Sequence, residues 1–135
     1  MPFVLGAVAV VVILLLATEA ALGQARDPNS IRVLAQNAGF SGPDLDTAVA
    51  IAQAESSGFS DVVGDLTLGT SIGLWQINLR WHPEYTREEL MDPQTNANAA
   101  FAIYRAAGNS FKPWSTFKTG AYLQYLGSGD GTVNT

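Results

Sequence analysis

The chain has 135 residues and a mass of 14.3 kDa, room for one domain and little more. It has no cysteine, which excludes a disulfide framework and any cysteine-ligated zinc or iron–sulfur site. A single histidine, His82, also excludes a His-rich metal centre; no metal and no cofactor are expected. Seven basic against twelve acidic residues give a net charge of −5 and a pI near 4.5. That balance argues against a nucleic-acid partner.

The first element is apolar all round. Phe3 to Ala17 carries no charge and no strong polar group. As a helix it spans about 22 Å, and extension to Leu22 brings it to about 30 Å, the thickness of a hydrocarbon core. Residues 1–23 therefore form a transmembrane anchor, with 3–22 in the membrane, or a secretory signal peptide with small residues for cleavage around Ala21–Ala25. Soluble composition begins at Gln24, and residues 24–126 form the domain proper. Asp27-Pro28 starts a helix whose stripe is Ile31, Leu34, Ala35 and Ala38, ended by Gly39. A second helix follows Ser41-Gly42-Pro43, buries Leu45, Ala48, Val49 and Ala52, and stops near Gly58. Phe59 to Ser71 reads as loop or small hairpin, and Gly73 to Asn78 as a short apolar turn or helix. Thr86 to Glu89 has a capping-box pattern. Asp92-Pro93 opens a helix with Ala97, Ala100, Phe101 and Tyr104 inward and Gly108 as its stop. An aromatic segment, Phe111 to Leu126, contains further helix, and residues 127–135 have linker composition. The class is mainly α, with at most a small β element.

One acidic residue stands out. At 100° per residue, Ala48, Ala52 and Glu55 fall within about 40° of one another, so Glu55 continues the buried stripe in the last helical turn. Partial burial and the negative end of the helix dipole both disfavour its ionised form. A carboxylic acid kept protonated near neutral pH is what protonation of a glycosidic oxygen requires. The same spacing also admits an acidic side chain swung into solvent at a frayed helix end.

Four segments occur in order: AESSG at 54–58, SIGLWQIN at 71–78, NANAAFAIY at 96–104, and PWSTF at 113–117 followed by Gly120-Ala121-Tyr122. Together they resemble the goose-type-lysozyme-like lytic transglycosylases of the SLT family, especially short members carried by phages of Gram-positive bacteria. The resemblance runs from Leu45 to Tyr125. It implies an α+β lysozyme-like fold, a helical domain with a small β-hairpin or extended loop walling a glycan groove. It also implies cleavage of the β-1,4 bond between N-acetylmuramic acid and N-acetylglucosamine in peptidoglycan glycan strands. Glu55 would be the catalytic acid and base, with a 1,6-anhydro product. Ser56 would hydrogen-bond near Glu55, and Gln76 with the backbone at Ile77 and Asn78 would hold acetamido groups. Tyr104 matches a site-wall tyrosine. By the same resemblance Tyr122 would be the residue whose hydroxyl meets the catalytic carboxyl, although Leu123 follows it where the family has asparagine.

Three choices stay open in the sequence. Trp75, Trp81 and Trp114 are all candidates for stacking on sugar faces. Asp65, with Asp61 as a local alternative, is a possible second carboxylate that would turn the reaction into hydrolysis. His82, before Pro83, reads as a surface or loop histidine. Other function classes are a non-catalytic glycan-binding domain and a membrane-anchored structural component of a virion contacting other virion proteins. The corresponding locations are a membrane, with the domain facing the wall, a virion membrane, or secretion.

Overall fold

A computed structural model describes residues 25–64 and 69–127. The hydrophobic segment at 3–22, Asp65 and the tail from 128 lie outside the described residues. Among the described residues no helix is long and apolar enough to cross a membrane.

Helix α1 (Pro28–Ala38) starts where Asp27 accepts the Ser30 backbone N–H at 2.9 Å, as an Asp–Pro start should. Helix α2 (Gly42–Ser56) follows after a three-residue turn and is the centre of the domain. Ala48 to Ala52 are all buried, because α2 packs against α1 on one side and the C-terminal segment on another. Helix α3 (Arg87–Met91) carries the capping box: the Thr86 hydroxyl accepts the Glu89 N–H and the Glu89 carboxylate accepts the Thr86 N–H, both at 3.1 Å. Helix α4 (Pro93–Ala106) is capped by Asp92 and packs on α1. Two short pieces close the fold, α5 (Ser115–Thr119) and a 3₁₀ turn (Ala121–Tyr125), separated by Gly120 at φ +84°.

Of the turn or helix expected at 73–78, the turn holds for 73–76, and 77–78 form a strand, so that the segment belongs to a hairpin. Strands β1 (Ser71–Ile72) and β2 (Ile77–Asn78) pair antiparallel, Ser71 opposite Asn78 and Ile72 opposite Ile77. Gly73 and Gln76 both have positive φ, +81° and +48°, which no helix can contain. Val62–Gly64 adds itself to the other edge of β1: Gly73 N–H bonds Val62 C=O at 2.9 Å and Gly64 N–H bonds Ser71 C=O at 2.7 Å.

A ladder this short cannot stabilise itself. It is fixed by Asn96, on α4 and fully buried. The Asn96 amide donates to the carbonyls of Ile72 (2.8 Å) and Leu90 (2.9 Å), and its oxygen accepts the Trp75 N–H at 2.9 Å. Gly73 lies so close that a Cβ there would sit 2.3 Å from the Asn96 amide nitrogen. Side chains Ile72, Leu74, Trp75 and Ile77 complete the attachment by joining the core under α2 and α4.

Asn96→Ala should therefore cost about 3 kcal/mol or more, since each buried backbone group left without a partner costs about 1–3 kcal/mol. Asn29→Ala, on the exposed side of α1, should stay within about 0.5 kcal/mol. Urea unfolding of both variants measures the difference, and equal midpoints would contradict the role given to Asn96.

Candidate active site

Glu55 is the penultimate residue of α2 and is half-buried. The helix ends immediately after it because Ser57 turns left-handed (φ +54°) and the Ser56 hydroxyl is spent on backbone. That hydroxyl donates to Ala52 C=O at 2.8 Å and accepts the Gly58 N–H at 3.2 Å. Ser56 is thus a buried helix-end hydroxyl whose hydrogen bonds go to Ala52 and Gly58, and not the partner near Glu55 that the resemblance implies.

Glu55 opens into a cleft of about 220 Å³ lined also by Ser71, Gln76, Asn78, Trp81, Pro113, Trp114, Ser115 and Lys118. One wall is the hairpin and the residues after it; the other is α5 and its approach. The hydroxyl that meets the carboxyl belongs to Thr116, which donates to Glu55 Oε2 at 2.8 Å across 61 residues of chain. Burial pushes the Glu55 carboxyl above its ordinary pKa, and the Thr116 hydroxyl and backbone amide oppose that rise without cancelling it.

The tryptophans sort themselves by burial. Trp75 is 1% exposed, its indole N–H donates to Ala48 C=O at 3.0 Å, and its own C=O accepts the Trp114 indole N–H at 2.9 Å. It is a core residue with no face left for a ligand, so it is not the stacking platform its sequence position allows. Trp114 is almost as buried, at 5% exposed, and lines the cleft. Trp81 is 67% exposed at the cleft mouth, with the Arg80 guanidinium 5.2 Å from its ring.

Tyr104 also belongs elsewhere. It donates to Asp44, at the opposite end of α2 from Glu55, and its ring packs among Phe40, Phe101 and Phe111. Eleven residues of helix separate Asp44 from Glu55, roughly 16 Å. Tyr122 packs its ring 5.1 Å from Phe117, and among the described residues its hydroxyl bonds no carboxyl.

Gln76 and Asn78 do line the cleft. The Gln76 amide N–H₂ is held by the carbonyls of Val62 and Gly73, both at 3.0 Å, so the side chain is fixed. Asn78 accepts the Arg80 N–H at 2.8 Å. Ile77 turns its side chain into the core and offers the site only backbone. Asp61 is exposed on the turn after α2 and is not part of the cleft lining. His82 lies in the loop after the hairpin, 3.6 Å from Glu84, beside a separate hollow of about 480 Å³ whose floor is α4 alanines and Ile103. Among the described residues no three His, Cys, Asp or Glu side chains gather as a metal site.

Thr116 was not identified by sequence reasoning, because nothing local in PWSTF distinguishes a threonine that faces Glu55 from one that faces solvent. Asn96 was missed for a similar reason, hidden in an alanine-rich stripe.

The family described as lysozyme-like domain matches residues 32–116, well over half of the chain, from α1 to Thr116. No curated protein and no solved structure matches. The matched family is peptidoglycan-active; the match carries no phage, virion or membrane assignment.

The raised pKa makes a stability prediction. At low pH Glu55 is protonated in folded and unfolded chains alike and costs nothing. As pH rises the unfolded chain releases the proton first, so stability falls until the folded carboxyl has also ionised. Glu55→Gln keeps an acceptor for Thr116 and removes this loss. It should be more stable than the parent at about pH 7 and lose that advantage by about pH 3, below the ordinary glutamate range. Urea midpoints at the two pH values check this; a difference independent of pH would refute it.

Proposed function

Because the chain belongs to the lysozyme-like domain family, we propose that it is a lytic transglycosylase, cleaving the N-acetylmuramic acid–β-1,4–N-acetylglucosamine bond with Glu55 as its single acid and base. The observation that carries this reading is the Glu55 carboxyl itself: half-buried at a helix end, raised in pKa by burial, and open to a polar cleft walled by the hairpin.

In the first step the protonated Glu55 gives its proton to the glycosidic oxygen as the bond to the muramic C1 breaks. The electron pair leaves with that oxygen, and the substrate's own 2-acetamido group stabilises the cation-like C1. In the second step the Glu55 carboxylate takes the proton of the muramic 6-hydroxyl, whose oxygen bonds C1 and closes the 1,6-anhydro ring. Glu55 ends protonated, ready for another turn. Water competes for C1, but a hydroxyl on the same sugar has the advantage of an effective molarity of about 10⁵ M or more when well aligned. One carboxyl suffices, unlike the two-carboxylate scheme of most glycosidases.

The cleft supplies binding as well as chemistry. Trp81 offers an exposed aromatic face to sugar C–H surfaces. Gln76 and Asn78 present fixed polar groups of the kind that acetamido recognition needs. A wall substrate lies outside the cell membrane, so an anchor or leader at residues 3–22 is the arrangement this function calls for.

Glu55→Gln should fold and lower the release of soluble fragments from purified peptidoglycan by at least about 10²-fold. Asp65→Asn should have a much smaller effect. A fully active Glu55→Gln protein would end the assignment. Losses of equal severity at both positions would instead favour a hydrolase with Asp65 as its base.

A further inference from the structure

We propose that Thr116 is the positioning residue of the Glu55 carboxyl, engaging Oε2 so that Oε1 is the oxygen that gives and takes the proton. This inference rests on the lytic reading above and adds to it a residue and an atom.

The geometry is specific. The Thr116 hydroxyl donates to Oε2 at 2.8 Å, and the donor cannot drift. Thr116 is the second residue of α5, whose start at Trp114 is held by the indole N–H bond to Trp75 C=O at 2.9 Å. Trp75 in turn is locked to α2 through Ala48 C=O and to α4 through Asn96. Glu55 and Thr116 are therefore carried by elements tied to one indole, so their separation is set by packing and not by a flexible loop.

The chemistry needs such a partner. One carboxyl must be protonated for the first step and ionised for the second, so its pKa has to lie where both forms are accessible. Burial alone favours the protonated form and would leave a poor base. A hydroxyl donating to Oε2, with the Thr116 backbone amide beside it, stabilises the carboxylate and offsets part of the rise that burial causes. It also occupies one oxygen, so that proton transfer goes through the other. Lys118 is the only other charged side chain among the described residues that line the cleft; Ser71, Gln76, Asn78 and Ser115 are neutral. Tyr122 and Tyr125 belong to the 3₁₀ turn that packs against α2. None of these is changed by substituting Thr116.

The test uses Thr116→Val, which keeps the shape without the hydroxyl, and Thr116→Ser, which keeps the hydroxyl. Two quantities are read on the full chain: the pH profile of peptidoglycan cleavage, and the titration of the Glu55 carboxyl by ¹³C NMR. Thr116→Val should move the Glu55 titration and the alkaline limb of the profile to higher pH. It should also lower the turnover rate about tenfold at constant KM, the loss expected of one transition-state hydrogen bond. Thr116→Ser should restore both. A Glu55 titration unchanged in Thr116→Val overturns the inference, whatever happens to the rate. A shifted titration in a chain whose parent cleaves no peptidoglycan would overturn the lytic reading, and with it the acid–base role given to Oε1.

Discussion

Three hydrogen bonds from one buried amide hold the working part of this protein together. The Asn96 side chain joins the strand end at Ile72, the turn at Trp75 and the end of α3 at Leu90. A two-residue ladder has almost no stability of its own, yet here it forms one wall of a cleft and must hold Gln76 and Asn78 in place. The amide satisfies backbone groups that the tight turn leaves without partners, in a region where an unmade hydrogen bond is costly. Gly73 is the complement of that arrangement: its positive φ makes the turn, and the missing side chain is the space the amide fills.

Trp75 extends the same constraint to the other wall. Its backbone answers to Asn96, its indole to α2, and its carbonyl to Trp114 at the head of α5. The carboxyl of Glu55 is thus presented by a helix that is buried on nearly all sides, opposite a hydroxyl on a segment pinned through the same residue. Such a site is rigid by packing. The electrostatic consequence is a carboxyl drawn in two directions, up by the loss of water and down by Thr116, with burial the larger effect.

Much of this was legible in the chain. The Asp–Pro starts at 27 and 92 and the Thr86–Glu89 box state their chemistry locally, and each forms the expected cap. The stripe through Ala48 and Ala52 correctly places Glu55 at the edge of the core, because helical periodicity needs no tertiary information. What failed depended on partners far away in sequence. Whether a tryptophan is core or platform is decided by what packs on it, so Trp75 and Trp81, six residues apart, have opposite fates. Tyr104 sits on the expected inward face, but that face meets Asp44 and an aromatic cluster at the far end of α2. Of loop or hairpin for 59–71, loop fits the described residues before Ser71 apart from the bridge at Val63, because Gly- and Asp-rich composition marks a turn without saying which flanking segments pair. Thr116 meets Glu55 across 61 residues, a distance no local pattern spans.

The central claim is that one carboxyl, with no second carboxylate taking part, cleaves the glycan by drawing on the substrate's own 6-hydroxyl. Mass spectrometry of the fragments released from purified peptidoglycan tests it most directly. Muramic ends should carry the 1,6-anhydro ring, lighter by one water than the hydrolysed end. Fragments with reducing muramic ends in their place would show that water is the nucleophile and would contradict the account.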